Sequence, residues 1–223
     1  MIWFKLRGLF ITFEGLDGSG KTTQIEMAAR RLRRHGFKVL LAREPGGTRV
    51  GDAIREILLS SRTVGLDARA EVLLYFASRA QNVTEVILPA LKKGYVILCD
   101  RFADSSRAYQ GQGRQLGAEA VEALVGIACQ GVTPDRTVLI DIAPRHGVER
   151  ARRRNTSSGR DESRLEREGA KFFARVRRAF LAIAKAEPKR VRVVDGNRTV
   201  EEIHDEIWND LWDLIHSSGM RRR

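Results

Sequence analysis

Residues 15 to 22 read Gly-Leu-Asp-Gly-Ser-Gly-Lys-Thr, a glycine-rich loop closed by a lysine and a hydroxyl. Glycines at 15, 18 and 20 let backbone N–H groups turn inward around phosphate oxygens. Lys21 can reach the outer phosphates of a nucleotide, and the Thr22 hydroxyl can hold Mg²⁺. An apolar run, Leu9 to Phe13, precedes the loop and a helical stretch follows it. That strand–loop–helix order is the context the motif needs. Gly15, Asp17, Gly18, Ser19, Gly20, Lys21, Thr22 and Thr23 are therefore expected to bind nucleotide phosphates. What remains open is the group that receives the phosphate.

Four further clusters bear on that. Arg43-Glu44-Pro45-Gly46-Gly47-Thr48 is either a tight turn with charged shoulders or a backbone platform beside a second phosphate. Arg55, on the next helix, can point back at the same space. Tyr75 and Arg79 are four apart and share a helical face. A ring could cover a base while the guanidinium reaches its edge oxygen; taken alone, a core aromatic and a surface arginine are the plainer reading. Asp100-Arg101-Phe102 follows a buried strand. Asp100 is placed to help hold Mg²⁺, and Arg101 to clamp a phosphate. Ser106 and Gln110 lie one turn apart beyond it, and a Gln amide can pair with a donor and an acceptor on a base. So dense a polar group is hard to explain as structure alone. Last, Arg150, Arg152, Arg153, Arg154 and Arg160 surround Asn155-Thr156-Ser157-Ser158-Gly159. A solvated basic helix would account for the charge. A lid accounts for it better, because phosphoryl transfer builds negative charge that arginines stabilise and a closing segment excludes water.

These residues need a scaffold. Five strand-type runs alternate with helical patterns: Leu9 to Phe13, Phe37 to Ala42, Tyr95 to Cys99, Thr137 to Ile142 and Val191 to Val194. Continuous apolar runs suit a parallel sheet covered on both faces. Helical spacing occupies Thr22 to Arg34, Arg49 to Leu59, Asp67 to Lys92, Ala118 to Cys129, Arg145 to Arg153, Arg164 to Ala186 and Val200 to Leu214. Ligands in such α/β sheets collect at the carboxyl ends of the strands, where Glu14, Arg43, Asp100, Asp141 and Asp195 stand.

The 223 residues, 43% of them hydrophobic, suffice for one buried core. A single domain over 1–223 is expected, with an N-terminal extension at 1–8, a lid at about 150–164 and a basic tail at 217–223. Two cysteines make a disulfide scaffold unlikely and fit a reducing cytoplasm. No apolar stretch is long enough to cross a membrane, and the start of the chain lacks the cleavage site of a signal peptide. The net charge of +12 suits nucleic acid and small polyanions such as nucleotides equally. The tail has no interleaved aromatics that would stack nucleic-acid bases, so neither nucleic acid nor a membrane is expected as a partner.

Together the blocks Phe13 to Thr23, Arg43 to Thr48, Asp100 to Gly111 and the lid with Arg160 and Arg164-Leu165-Glu166 resemble thymidylate kinase of the bacterial type. The likeness runs from Phe10 to about Leu214. It implies the P-loop nucleoside monophosphate kinase fold: α/β, a five-stranded parallel sheet flanked by helices, with a mobile lid. It also implies transfer of the γ-phosphoryl of ATP to dTMP with Mg²⁺, and a homodimer. By resemblance Asp17 holds the sugar 3′-hydroxyl, and Arg43, Arg55 and Arg101 surround the acceptor phosphate. Tyr75 stacks on thymine where relatives often have Phe. Arg79 meets its edge oxygen with Ser106 and Gln110 nearby, and Tyr109 crowds the 2′ position. Gly18 stands where some members carry a loop arginine, which implies that the lid supplies it, Arg160 first and Arg154 second. Phe102 stands where relatives carry Tyr. Rival readings are a kinase of the same fold for another base, a basic nucleotide-switched nucleic-acid binder, and a paralogue that binds nucleotide without catalysis.

Overall fold

The computed structural model describes residues 8–147, 149–150 and 164–220. The N-terminal extension apart from Gly8, most of the lid and the end of the tail lie outside them. Five strands form one parallel sheet: β1 (Leu9–Glu14), β2 (Val39–Arg43), β3 (Val96–Asp100), β4 (Arg136–Asp141) and β5 (Val191–Asp195), in the order β2-β3-β1-β4-β5. Phe13 pairs with Asp100, and Asp100 pairs with Arg43. The register therefore brings the chemical ends of β1, β2 and β3 to one edge, with the phosphate loop leaving β1 there.

Strand β1 is buried along its whole length. Its alternate side chains feed two cores, as strand geometry requires. Leu9, Ile11 and Phe13 pack with Leu98 beneath α1 (Lys21–Arg34) and the C-terminal helix, whose Trp208 and Leu211 join them. Phe10 packs with Ile97, Val83 and Phe102 on the other face. Each such aliphatic side chain contributes about 1.5–3 kcal/mol when fully buried. A third cluster, with Leu139, Ile142, Tyr109 and Phe172, fills the space beside β4.

Helices α2 (Arg49–Leu59) and α3 (Ala68–Asn82) follow β2. Thr48 caps α2 by accepting from Gly51 N–H, and Asp67 caps α3 by accepting from Arg69 N–H, so Asp67 stands outside the helix it was expected to begin. The expected run to Lys92 is interrupted by a π-turn at Val83–Ile87 before α4 (Leu88–Lys92). Pro89 has no N–H for the regular ladder, and Leu88 N–H reaches back to the Val83 carbonyl. Beyond β3 come a short helix, α5 (Ala103–Ser106), and a π-helical segment, Arg107–Gly113, then α6 (Ala118–Cys129).

Two further boundaries differ for a visible reason, while others move by one to three residues. Phe37 closes the turn after α1, its N–H on the Leu32 carbonyl, so β2 starts later, at Val39. The helix expected from Arg164 divides into a 3₁₀ turn, Arg164–Arg167, and α7 (Ala170–Ala186), because Gly169 is extended (φ −76°, ψ 165°). Of the helix expected at 145–153, residues 144–147 and 149–150 are helical and 151–153 lie outside the described residues. The last helix, α8 (Val200–Ser217), opens on a capping box between Thr199 and Glu202. Among the described residues no helix is long and apolar enough to cross a membrane.

Candidate active site

The phosphate loop is a left-handed turn built from glycine. Gly15, Gly18 and Gly20 have φ of 133°, 76° and 96°. A Cβ on Gly15 would lie 2.4 Å from the Ile140 carbonyl oxygen. Lys21 folds back over the loop, its Nζ donating to the carbonyls of Leu16 (2.9 Å) and Gly15 (3.2 Å). Burial, reinforced by Arg101, lowers its pKa to about 8. A phosphate there meets a desolvated ammonium, whose attraction is stronger than it would be in water. The Ser19 hydroxyl is buried without a hydrogen-bond partner among the described residues.

Arg101 stands at the end of β3 in a left-handed backbone, φ 70°, with its N–H on the Phe13 carbonyl. Such a conformation costs a non-glycine residue about 1 kcal/mol or more, and the surrounding bonds hold it. Its guanidinium donates to Ser105 Oγ (2.9 Å), Asp17 Oδ1 (2.8 Å) and Tyr109 Oη (3.4 Å). Burial opposes its charge, but Tyr109, Asp17, Asp100 and Glu14 together outweigh that effect. Beneath it lies Glu14, fully buried. Glu14 accepts from Phe102 N–H (2.8 Å), Ser105 N–H (3.3 Å) and Ser105 Oγ (2.6 Å). Burial, then Asp104, raises its pKa to about 7.

Arg79 is 2% exposed, so it is not the surface arginine of the plainer reading. Its Nε donates to Glu44 (2.6 Å), Nη1 to Ser106 Oγ (3.0 Å) and Nη2 to the Phe102 carbonyl (3.0 Å), with Phe76 and Phe102 rings beside it. Burial raises the Glu44 carboxyl against the pull of Arg79. The Glu-Pro-Gly-Gly turn is pinned by Gly46 N–H on Ser78 Oγ and Gly47 N–H on Asp52. Arg43 pairs with the same Asp52 (3.0 Å), and Arg55 donates to the Pro45 carbonyl (2.8 Å).

All of this surrounds one cleft of about 570 Å³. Asp17, Gly18, Gly20, Lys21, Thr22 and Thr23 of the loop line it, with Asp100 and Arg101. Arg43, Arg55, Tyr75, Arg79, Ser106, Tyr109 and Gln110 line it too, as do Arg150 and Leu165. Gly15 and Ser19 belong to the loop but not to the lining. Arg160, like Arg152, Arg153 and Arg154, lies outside the described residues.

The residues expected at Mg²⁺ fit a hard cation. Thr22 Oγ1 donates to Asp100 Oδ2 (3.2 Å), while Asp100 Oδ1 is buried without a hydrogen-bond partner among the described residues. A carboxylate oxygen left so is costly unless something positive meets it.

Sequence reasoning did not single out Glu14, Glu44 or Glu71 as site residues. The available signal was a charged residue next to a buried run, as in Phe13-Glu14-Gly15, since carboxylates are rarely buried unpaired.

The strand order, the loop after β1 and the cleft over β1, β2 and β3 define a P-loop phosphotransferase of the nucleoside monophosphate kinase fold. A family model described as Thymidylate kinase matches residues 13–207. A protein named thymidylate kinase from Pelobacter propionicus is 51% identical over 201 residues, 90% of this chain and 92% of the relative. One from Pelotomaculum thermopropionicum is 48% identical, covering 91% and 92%. The crystal structure of thymidylate kinase from Ehrlichia chaffeensis superposes with a TM-score of 0.74 at 32% identity, covering 92% of this chain and 98% of that one. The chain belongs to the thymidylate kinase family, a family of nucleoside monophosphate kinases.

Proposed function

We propose that this cleft transfers the γ-phosphoryl group of ATP to dTMP, giving dTDP and ADP for dTTP synthesis, within one catalytic domain. The observation that carries the reading is that one cleft is lined by the phosphate loop, by Arg101, and by buried Arg79 with Gln110. Little covalent work falls to side chains in phosphoryl transfer; alignment and charge neutralisation do most of it. Lys21 draws the donor phosphates onto the loop. Arg101, with Arg43 and Arg55, holds the acceptor phosphate in line. Asp17 takes the 3′-hydroxyl, Tyr75 covers the thymine, Arg79 and Ser106 meet its edge beside Gln110, and Tyr109 excludes a 2′-hydroxyl. Thr22 and Asp100 would hold Mg²⁺, which would supply positive charge to neutralise phosphate oxygens. Arg160, with Arg154 as second choice, would supply the arginine that meets the charge of the transition state.

Two further properties belong to this reading. Val50 and Ile57 on α2, Leu73 on α3 and Ile127 on α6 are exposed apolar side chains on neighbouring helices, which supports a homodimer. Cys99 and Cys129 are free and buried, as suits a reducing cytoplasm. Neither nucleic acid nor membrane is required as a partner. The test is product analysis after incubation with ATP, Mg²⁺ and dTMP. Equal yields of dTDP and ADP are expected; ADP without dTDP overturns the proposal.

A further inference from the structure

Glu71, on α3, has no role in the reaction described above, yet four hydrogen bonds from three side chains converge on its carboxylate. Gln110 Nε2 donates to Oε1 at 2.9 Å, and Arg114 Nε to the same oxygen at 3.2 Å. Arg114 Nη2 and Arg164 Nη2 donate to Oε2 at 3.0 and 2.8 Å. Glu71 is fully buried. Burial works against its charge, but the bonds from Arg114 and Gln110 and the charges of Arg114 and Arg164 outweigh it and hold the carboxyl below its ordinary range. Four bonds occupy roughly all the lone-pair sites a carboxylate offers. Arg114 is itself fixed by Glu168 (2.5 Å) and Arg164 by the Leu58 carbonyl, so the carboxylate cannot turn.

This decides which way the Gln110 amide faces. An ionised carboxylate only accepts, so the NH₂ end of the amide must point to Glu71. The carbonyl Oε1 is then the end left for the cleft that Gln110 lines. Arg79, which donates to Ser106 four residues before Gln110, lines the same cleft with a guanidinium that can only donate. The pair thus forms a donor next to an acceptor. Thymine carries an acceptor at C4 and a donor at N3, which matches. Cytosine carries a donor at C4 and an acceptor at N3, which meets donor with donor and acceptor with acceptor.

We propose that Glu71 is a positioning residue that sets base specificity, locking the Gln110 amide with its carbonyl toward the base and so favouring thymine over cytosine. The inference rests on the thymidylate kinase reading above. It is tested by kcat/KM for dTMP and for dCMP in the wild type, Glu71→Gln, Gln110→Leu and the double variant. A Gln at 71 can donate as well as accept, which frees the amide to turn over. Glu71→Gln is expected to lower the dTMP/dCMP ratio about tenfold or more, the effect of roughly one hydrogen bond turned from favourable to opposed, with KM for ATP little changed. In the Gln110→Leu background the same change is expected to leave the ratio where Gln110→Leu alone puts it. A wild-type ratio in Glu71→Gln overturns the inference, as does an equal fall in the absence of the amide. If Glu71→Gln does not fold, Gln110→Asn replaces it: the shortened amide cannot span to Glu71, and a ratio retained at the wild-type level overturns the inference. A wild type that phosphorylates dTMP while the ratios stay fixed removes this inference alone; a wild type inactive on both pyrimidines removes the thymidylate kinase reading with it.

Discussion

Arg101 Nη2 lies 2.8 Å from Asp17 Oδ1, so the end of β3 and the phosphate loop of β1 are joined by one ion pair inside the cleft. The same guanidinium holds Ser105 Oγ at 2.9 Å. A planar fork can make both bonds at once, and a lysine ammonium on its flexible stem has no matching geometry. Arg101→Lys is expected to lower kcat/KM for dTMP about a hundredfold, close to the loss of two charge-assisted hydrogen bonds. Steady-state kinetics with dTMP varied checks this; a value within about threefold of wild type would show that charge alone suffices there.

Lys21 tests the division between donor and acceptor ends. Its Nζ rests on the Leu16 and Gly15 carbonyls, at the loop end of the cleft. Lys21→Ala is expected to cut kcat by roughly 10² to 10³, with dTMP affinity by calorimetry nearly unchanged. Lost dTMP affinity with retained kcat would move Lys21 to the acceptor side.

Glu14 carries the pH dependence. Its carboxyl titrates at about 7 in the fold against an ordinary value of 4.5. Between those values the folded chain holds a proton that the unfolded chain has lost. The contribution of this group to stability is therefore full below about pH 4.5 and is lost as pH rises through about 7. Glu14→Gln removes the titration. Going from pH 5 to pH 8, the variant is expected to gain about 2.5 kcal/mol relative to wild type, from roughly 1.4 kcal/mol per pH unit over the window. Urea unfolding of both proteins at several pH values measures it; a difference constant with pH contradicts it.

The loop glycines separate two kinds of strain. A Cβ on Gly20 meets nothing within 4 Å, and only its φ of 96° opposes a side chain. A Cβ on Gly15 meets the Ile140 carbonyl oxygen at 2.4 Å as well. Gly20→Ala is expected to cost about 1–2 kcal/mol and Gly15→Ala clearly more, by chemical denaturation. Equal costs would place the strain in the backbone angle alone.

Much of this site could be read before the fold was seen. Lys21, Thr22, Asp100 and Arg101 announce themselves because their motifs are local: the first two close a glycine loop, the other two directly follow an apolar run, and the chemistry lies in adjacent residues. The five strands and their parallel pairing followed from continuous apolar runs. The strand order did not, because nothing in β3 itself says that it inserts between β1 and β2. Arg79 is the sharpest case. Four-residue spacing put it beside Tyr75, but its burial depends on Glu44, 35 positions away, and on the Phe102 carbonyl. Glu14 and Glu71 went unread for the same reason. A carboxylate next to a buried run marks a position but not a role, and the role comes from Ser105, Gln110 and Arg114, which the fold brings from distant parts of the chain.

The most direct measurement is ADP formation with ATP and Mg²⁺ against each nucleoside monophosphate in turn. Strong turnover with dTMP, weaker turnover with dUMP and little with dCMP or the purine nucleotides is the expected result. Turnover led by a purine or by dCMP, or ATP binding with no acceptor-dependent ADP at all, would contradict the assignment of this cleft to thymidylate phosphorylation.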